Sequence, residues 1–509
     1  MHPAARALLT LMLLPQGSGT AQTDEPVTVP RIWDAERLRD WALPLAGLGE
    51  APGFLAPERY YALPVDDLRT YPVYHPAREP KGYRDELLRR GPSPLIEPGR
   101  LHTRADWLAA GQRVFEELDT WMTRTDDPAV LAHFTDAAAV DRYRDADHDA
   151  MDQNGVLLDY RWVVDRDNKL KLSVSSCAGC HSRLMPDGSV LAGAPSNYDL
   201  SAAPAVDRLL APLRTVRGMT PGELTYMAFG VPWREHDENE RFKTMSAQDL
   251  AAFLGQPSGA PPGTTFDRFN GSPFHTTRMA DLRGIAHRRY LDTTGTHRNR
   301  EPADVARYAI LVEFADVGVF GPHQMVPAQA LELPHRRPSD AAVFAMALYL
   351  YSLDVPPSPH ALDEQARRGA AIFADEGCKK CHPPPHYTND ELVPAPGFTP
   401  AADDARTPHV AVMDRTVDTD PGLALRTRKG TGYYRVPSLR GLWYRGLFEH
   451  SGSVATLEDW FDARRLEQDY VPTGWRGPGV TQRAVPGHEF GLDLEPADKA
   501  ALIAFLRTL

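Results

Sequence analysis

Apolar residues recur at helical spacing in two stretches of the C-terminal third of the chain. Within Ala361 to Ala374, Gly369 and Phe373 lie four residues apart, which predicts an amphipathic helix that buries both. At the C-terminus, apolar side chains at i, i+3, i+4 and i+7 predict a second helix with one apolar stripe: Leu502, Phe505, Leu506 and Leu509. These patterns predict helices that pack through one face against a common core.

The preceding part of the chain combines helical and strand patterns. A further helix is predicted around Gly111 and Phe115. Two apolar stretches, Tyr160 to Val164 and Leu170 to Val174, flank Asp167-Asn168, and this arrangement predicts a β-hairpin.

Length and composition favour several domains of short helices. A chain of 509 residues exceeds what one hydrophobic core usually organises. Its 46 Pro and 38 Gly make 84 residues, above the average of roughly 12%. This predicts much ordered loop and little extended sheet. The net charge is −12 with both signs mixed along the chain, which argues against a nucleic-acid partner.

Residues 1–21 have the pattern of a secretory signal peptide. A basic residue precedes the apolar stretch Ala7 to Leu14, and Gly19-Thr20-Ala21 supplies small residues at the cleavage-site spacing. The longest later apolar run, Ala341 to Leu353, is too short to cross a bilayer. We therefore expect an exported protein, periplasmic or otherwise extracytoplasmic, with no transmembrane segment in the mature chain.

All four cysteines lie in two Cys-Xaa-Xaa-Cys-His units, Cys177-Ala-Gly-Cys-His181 and Cys378-Lys-Lys-Cys-His382. Disulfides are the usual fate of cysteine in an exported protein, but two complete copies of this unit favour haem attachment. Both thiols of such a unit bond to the haem vinyl groups, and the histidine binds the iron. We predict two covalently bound haem c groups, attached through Cys177, Cys180, Cys378 and Cys381, with His181 and His382 as iron ligands.

The chain also contains an internal repeat. Three pairs of segments match at nearly constant offset: Leu282-Arg-Gly-Ile285 with Leu439-Arg-Gly-Leu442 (439 − 282 = 157), Leu291–Gly295 with Phe448–Gly452 (448 − 291 = 157), and Pro338–Asp340 with Pro496–Asp498 (496 − 338 = 158). Three matches in register predict two copies of one domain.

The predicted fold is mainly α, with two cytochrome c-type domains in tandem at residues 101–356 and 357–509. The haem units are 378 − 177 = 201 residues apart, so the first copy holds an insertion of 201 − 157 = 44 residues, located within 202–270. Residues 22–100 form an N-terminal extension. Its aromatic residues, including Trp33, Trp41 and Tyr60, favour an ordered segment that wraps around the domains. The alternative is a disordered tail.

The second ligand of each iron decides whether that haem only transfers electrons or also binds a small molecule. For the second haem, His488 is the favoured ligand because its Gly-rich loop precedes the closing helix, although a surface histidine is the alternative. His450 is the first rival, followed by Met413 and His409.

For the first haem, the repeat offset provides no ligand. In the first copy, the position equivalent to His488 is Ala330 or Leu331, and the position equivalent to His450 is Thr293. None of these side chains binds iron. The open alternatives are off register: His323, Met325, His335, Met227, Met245, His275 and His287. We predict a five-coordinate iron with an open face above His181.

Other functional residues are less well defined by the sequence. Trp443, Tyr444 and Trp162 are candidate electron relays, with core packing as the alternative for each. Glu223 and Arg283 are candidate acid–base residues, with a solvated or ion-paired surface charge as the alternative.

The chain resembles the di-haem cytochrome c peroxidase superfamily, which includes the methylamine dehydrogenase maturation enzyme and the di-haem rubber oxygenase. The motifs are the two haem units, Arg435-Val-Pro-Ser-Leu-Arg-Gly441, His450–Glu458 and Gly487-His-Glu-Phe-Gly491. The resemblance covers 369–509 well, is weaker over the first domain and is absent before 101.

The oxygenase-like branch of this superfamily looks closer than the true peroxidases. This resemblance implies an electron-transferring C-terminal haem with a second histidine ligand at His488, and a reactive, open N-terminal haem. True peroxidases instead have a methionine near the His488 position, and their N-terminal haem becomes reactive after it loses a His ligand. In this chain no His follows His181 at the corresponding short distance, which counts against that scheme.

The expected function is an oxidoreductase that activates peroxide or dioxygen at the first haem. Its electrons would be exchanged with a small redox protein or a quinol-linked donor or acceptor. The alternative is a plain electron carrier with both irons six-coordinate.

Overall fold

The computed structural model describes residues 26–119, 124–144, 151–174, 176–198, 218–254, 262–265, 271–315, 318–325, 336–399 and 411–509. Its α-helices span Ala35–Leu38, Pro57–Ala62, Tyr83–Arg90, Arg104–Glu117, Pro128–Thr135, Ala137–Arg144, Cys177–Cys180, Pro221–Phe229, Ala247–Leu254, Pro302–Phe314, Asp340–Ser352, Glu364–Asp375, Gly422–Leu425, Leu457–Trp460 and Pro496–Arg507. Stretches of 3-10 helix span Pro98–Arg100, Glu238–Thr244, Ile285–His287, Cys378–Lys380 and Ala463–Leu466.

The strands are short and form small sheets. They span Thr70–Tyr74, Val156–Val164, Leu170–Val174, Ser182–Leu184, Val190–Ala192, Thr264–Thr265, Thr277–Arg278, Val319–Phe320, His323–Gln324, Leu392–Pro394 and Tyr433–Arg435. One sheet has three strands and the others have two. The helix-rich, loop-rich architecture agrees with the prediction from sequence.

In the first half, two helices that are distant in sequence pack closely together. The helix Arg104–Glu117, called the first leading helix, contacts Asp340–Ser352, the first closing helix. A Cβ atom at Gly111 would lie 2.0 Å from the carbonyl oxygen of Ala345, so the helices approach this closely only because residue 111 is glycine. Beside this contact the rings of Phe115 and Tyr349 pack with centroids 5.8 Å apart.

The second half contains an equivalent pair of helices. The second leading helix, Glu364–Asp375, contacts the second closing helix, Pro496–Arg507. A Cβ atom at Gly369 would lie 1.9 Å from the carbonyl oxygen of Ala501, and the rings of Phe373 and Phe505 are 5.3 Å apart. The predicted amphipathic helix is therefore confirmed, although it begins at Glu364 and not at Ala361.

The predicted Leu-Arg-Gly repeat makes the same hydrogen bond in both halves. The backbone N–H of Gly284 donates to the carbonyl of Leu353 at 2.8 Å, and that of Gly441 donates to the carbonyl of Leu509 at 2.8 Å. The donors differ by 441 − 284 = 157 residues and the acceptors by 509 − 353 = 156. In both halves this bond fastens the repeat element to the C-terminal end of the closing helix.

The segment 26–100 packs onto the first half of the chain. Trp33, Trp41 and Tyr60 are completely buried in the core that also contains the first helix pair. The indole N–H of Trp41 donates to the carbonyl of Arg298 at 3.0 Å. These described residues therefore form part of the core of the first half.

The predicted hairpin is confirmed, with Val156–Val164 paired antiparallel to Leu170–Val174. Asn168 adopts a φ of 58° in its turn, in the left-handed region that asparagine tolerates. The sequence did not predict that Thr70–Tyr74 joins Val156–Val164 as a third antiparallel strand. This pairing spans about ninety residues of chain, and a local pattern carries no information about such a distant partner.

Several sequence predictions lie wholly or partly outside the described residues. Residues 1–21 are outside them, as are parts of the proposed insertion at 202–270. Within 218–254 the insertion forms the helices Pro221–Phe229 and Ala247–Leu254 with a 3-10 stretch between them. Within the described ranges, none of the helices combines the length and apolar character that a membrane span requires.

Candidate haem sites

The second Cys-Xaa-Xaa-Cys-His unit directly follows the second leading helix. Gly377 turns the chain with a φ of 75°, and Cys378–Lys380 forms a 3-10 turn. The backbone N–H of His382 donates to the carbonyl of Cys378 at 2.9 Å, which closes the unit into a compact loop. Before any haem is attached, burial, assisted by the charge of Glu376, raises the pKa of the Cys378 thiol to about 11.

The imidazole of His382 is buried and oriented by backbone carbonyls. Its Nδ1 lies 3.0 Å from the carbonyl oxygen of Tyr387, and the carbonyl of Pro437 is a further acceptor. Burial lowers the pKa of His382 to about 4, and the two carbonyls only partly oppose this effect. The ring is therefore neutral, with Nδ1–H donating to the carbonyl and Nε2 left as a possible metal ligand.

The ring of His488 faces that of His382, with 6.5 Å between the ring centroids. The backbone of His488 is in the left-handed region, with a φ of 51°. Its N–H donates to the carbonyl of Val417 at 2.7 Å, and its carbonyl accepts from Arg465 at 2.9 Å. These two hydrogen bonds hold the loop that places the His488 ring near that of His382.

The spacing and chemistry of this histidine pair fit an iron placed between them. Two metal–imidazole bonds of about 2 Å each, together with the half-widths of the two rings, span a distance close to the observed one. Burial and the neighbouring His382 lower the pKa of His488 to about 3, so both rings are neutral. The Nδ1 atom of His488 has no hydrogen-bond partner within the described ranges. The side chain of His488 is partly buried.

The rival ligands for this site are placed differently. His450 contacts the carboxylate of Glu449 through Nδ1, and its Nε2 lies 3.1 Å from the hydroxyl of Tyr434. Met413 lies beside the haem unit, with its sulfur 3.8 Å from the Cys381 sulfur. His409 is outside the described residues.

The first Cys-Xaa-Xaa-Cys-His unit forms the short helix Cys177–Cys180, capped by the Ser176 hydroxyl. The His181 N–H donates to the carbonyl of Cys177 at 3.1 Å, and the His181 Nδ1 lies 2.9 Å from the carbonyl of Ala280. Ala280 and Pro437 are separated by 437 − 280 = 157 residues. The carbonyls that orient the two histidines are therefore equivalent positions of the repeat.

Most alternative ligands for the first haem make other contacts. His275 pairs with Glu238 at 2.6 Å, His287 stacks on His386 at 4.1 Å, and His323 packs against Trp233 at 5.9 Å. Met325 is buried in a small apolar cluster with Leu45 and Phe320. The remaining candidates are Met227, within the helix Pro221–Phe229, Met245, after the 3-10 stretch, and His335, outside the described residues.

The two candidate acid–base residues differ in their surroundings. Glu223 caps the helix Pro221–Phe229, and its carboxylate accepts from the Thr220 N–H at 2.7 Å. That contact gives Glu223 a structural role and no support for catalysis. Arg283 donates to the carbonyl of Asp354 at 2.7 Å, and its Nε has no hydrogen-bond partner in the described part of the chain.

The candidate relays are buried to different degrees. Trp162 is 1% exposed within the apolar core of the three-stranded sheet, as expected for core packing. Trp443 and Tyr444 pack edge to face with centroids 5.0 Å apart, and the Tyr444 hydroxyl donates to Asp281 at 2.7 Å. Tyr444 and Asp281 come from different halves, so this bond joins the two.

A cluster of four arginines lies at the junction of the two halves: Arg278, Arg288, Arg435 and Arg445. Three carboxylates accompany it: Asp281 lies 3.8 Å from Arg445, Asp390 lies 3.3 Å from Arg435, and Glu449 lies near Arg278. Burial, reinforced by repulsion within the cluster, lowers the pKa of Arg278 and of Arg288 to about 10. The cluster therefore carries surplus positive charge at neutral pH.

Sequence reasoning missed this cluster, although the repeat contains the signal for it. Arg278 and Arg435 differ by 157 residues, and so do Arg288 and Arg445. Each half therefore contributes the same two arginines to the junction. Haem carries carboxylate side chains, so a surplus of buried guanidinium groups is chemically suited to that cofactor.

No protein-family model matches the chain. The cytochrome-c peroxidase IdrP1 of Denitromonas iodatirespirans is 28% identical over 166 residues, which cover 29% of this chain and 41% of the peroxidase. The match thus spans less than half of that relative. Together with the two haem units, it relates the chain to the di-haem cytochrome c peroxidase superfamily, in agreement with the resemblance stated above.

Solved structures give weaker likenesses. A MauG-like protein associated with microbial copper homeostasis shares 16% identity at a TM-score of 0.30, over 58% of this chain and 90% of that one. The diheme peroxidase BthA of Burkholderia thailandensis shares 20% identity at a TM-score of 0.25, over 52% of this chain and 77% of that one. Hydrazine synthase of Kuenenia stuttgartiensis shares 15% identity at a TM-score of 0.27, over 59% of this chain and 92% of that one. TM-scores this low establish neither a common overall fold nor a common function.

Proposed function

We propose that this chain is an exported oxidoreductase with two covalently attached c-type haems. One haem is attached through Cys177 and Cys180 and bound by His181, and the other through Cys378 and Cys381 and bound by His382. The name of the matched relative, a cytochrome-c peroxidase, supports peroxide as a substrate, with dioxygen as the other candidate.

Two domains of one type, 101–356 and 357–509, organise these sites. Gly111 and Gly369 make the same close helix contact, and Gly284 and Gly441 make the same hydrogen bond. The backbone carbonyls that orient His181 and His382 also correspond in the repeat. These equivalences support a common plan in which each half holds one haem between its own leading and closing helices.

The second haem is proposed to be the electron-transfer centre. A haem exchanges single electrons at its iron, and an axial position left open also admits a small molecule. The observation that carries the proposal is the facing pair His382 and His488, 6.5 Å apart. His382, oriented by backbone carbonyls, and His488, on a loop held by backbone hydrogen bonds, would together hold this iron, and the haem would supply one-electron chemistry.

The first haem is proposed to be the reactive centre, with an open face above His181. Four of the alternative ligands, His275, His287, His323 and Met325, pack against other side chains. Electrons would be exchanged with a small redox protein or a quinol-linked donor or acceptor. Residues 1–21 would direct the chain to the periplasm or another extracytoplasmic compartment.

The spin states of the two ferric haems test this assignment. Electron paramagnetic resonance of the purified holoprotein should show one high-spin and one low-spin haem, and cyanide should convert only the high-spin haem to low spin. Two low-spin haems that respond to neither cyanide nor peroxide would instead identify a plain electron carrier and would contradict a reactive first haem.

A further inference from the structure

A small, partly open cavity lies beside the first haem unit. Its volume is about 140 Å³, and its described lining includes the loop Pro195–Asn197, the segment Arg278-Met279 and the turn Gly446-Leu447, completed by Arg183, Pro262, Gly263 and Ala455. The backbone N–H of Ser196 donates to the carbonyl of Cys180 at 3.1 Å. The cavity therefore adjoins the cysteine loop of the first half and also touches the second half.

Two polar groups of the cavity lining lack hydrogen-bond partners. The hydroxyl of Ser196, a residue only 2% exposed, has none within the described ranges, and neither does the Nε of Arg278. Asn197 also lines the cavity, but both polar atoms of its side chain bond to the backbone of Leu184, at 2.9 and 3.0 Å. The unfilled hydrogen-bonding capacity thus belongs to Ser196 and Arg278.

The electrostatics of the cavity are one-sided. Two guanidinium groups, Arg183 and Arg278, line it, and none of its described lining residues carries a carboxylate. Burial lowers the pKa of Arg278 to about 10, with Arg445 and Arg435 adding repulsion, so Arg278 keeps its charge at neutral pH. Asp281 and Glu449 lie close enough to Arg278 to offset part of its charge, but neither carboxylate lines the cavity.

We propose that Arg183, Arg278 and Ser196 form a binding site for one carboxylate group or small oxyanion. A guanidinium presents N–H groups in a planar fork that matches two oxygens of such an anion. The serine hydroxyl supplies one more donor, and the anion supplies the negative charge that the cavity lining lacks. The volume suits a carboxylate group or an inorganic anion.

The bound anionic group has two candidate sources, which experiment can distinguish. One is a propionate of the haem attached at Cys177 and Cys180, and that source rests on the proposed function. The other is a free anion from solution, which does not rest on it.

The test uses the holoprotein, inorganic phosphate as the probe, and the variants Arg278→Gln and Ser196→Ala. Phosphate binding is measured by isothermal titration calorimetry, and the propionate bending bands are measured by resonance Raman spectroscopy. Arg166→Gln removes the same charge from an exposed ion pair with Asp66 and serves as the matched control. If Arg278→Gln fails to fold, Arg183→Gln replaces it.

If the occupant is a free anion, phosphate binds the unaltered protein, and Arg278→Gln weakens binding by about tenfold or more through loss of a charge-assisted hydrogen bond. If it is a propionate, phosphate does not bind, and both variants shift the propionate bands. Arg166→Gln should change neither quantity.

Absence of phosphate binding together with unchanged propionate bands in both variants would overturn the site. A purified protein without haem absorption would contradict the proposed function alone, and the phosphate titration would then decide the site by itself.

Discussion

At the scale of single residues, the two histidines considered for the second haem have clearly different surroundings. His488 faces His382 and has an unpartnered Nδ1 within the described ranges, whereas His450 is engaged by Glu449 and Tyr434. The left-handed backbone of His488 is costly for a residue with a side chain, and such conformations are common at functional sites. These surroundings support His488 as the second ligand.

We predict that His488→Ala converts the second haem from low spin to high spin, because one axial position loses its imidazole. His488→Met should keep that haem low spin and raise its reduction potential, since thioether ligation favours the ferrous state. Electron paramagnetic resonance and a redox titration measure the two effects. The control His450→Gln should leave both unchanged, and a low-spin second haem in His488→Ala would rule His488 out.

Residue-level prediction from the sequence is most specific where a short motif defines the chemistry. The cysteines and histidines of the two haem units form such motifs, and the Gly-rich loop drew attention to His488. The arginine cluster was missed because its members are dispersed along the chain and show only in the repeat offset. The contact of His450 with Tyr434 has no local signal, because the fold alone brings the two side chains together.

At the scale of elements, a glycine contact joins the leading and closing helices of each half. Periodicity predicted that Gly369 and Phe373 face inward, because both lie on one helical stripe. It did not predict the partner, a backbone carbonyl of the closing helix, because a stripe defines a buried face and not what covers it. The strand Thr70–Tyr74 was missed for the same reason, since its pairing partner is remote in sequence.

We predict that Gly369→Ala destabilises the second half. Alanine favours a helix over glycine by about 1 kcal/mol. However, its Cβ would lie 1.9 Å from the carbonyl oxygen of Ala501, and a backbone atom cannot move aside as a flexible side chain does. The overlap should dominate and lower the free energy of unfolding by about 2 kcal/mol or more. Urea unfolding measures the change.

The exposed Arg367 lies on the same helix, and Arg367→Ala is the control, with an expected change of less than about 0.5 kcal/mol. Equal stability of Gly369→Ala and the unaltered protein would show that the helices do not meet at this contact.

At the scale of the whole molecule, a buried ion cluster ties separate parts of the first half together. Asp119 is fully buried and accepts from Arg124 at 2.7 Å, from Arg336 at 3.1 Å and from the hydroxyl of Ser173 at 3.0 Å. Burial alone would raise the pKa of Asp119, but the two arginines hold it below its usual value. Asp119 thereby joins the hairpin to the segment that leads into the first closing helix.

We predict that Asp119→Asn lowers the free energy of unfolding by about 2 kcal/mol or more, because Arg124 and Arg336 lose a fully buried, hydrogen-bonded counter-charge, although Asp66 still pairs with both. Glu86→Gln is the control, since Glu86 pairs with Arg89 and Arg90 on an exposed helix and should change stability by less than about 1 kcal/mol. Comparable losses in the two variants would show that the Asp119 cluster does not stabilise the fold.

The central claim is that each half of the chain carries its own covalently attached haem. Intact-mass spectrometry of the exported, denatured protein tests this claim most directly, with Cys177→Ala/Cys180→Ala and Cys378→Ala/Cys381→Ala as paired variants. We predict a polypeptide with the added mass of two haems, and of one haem in either variant. A polypeptide without added haem, or a variant that retains both, would contradict the account.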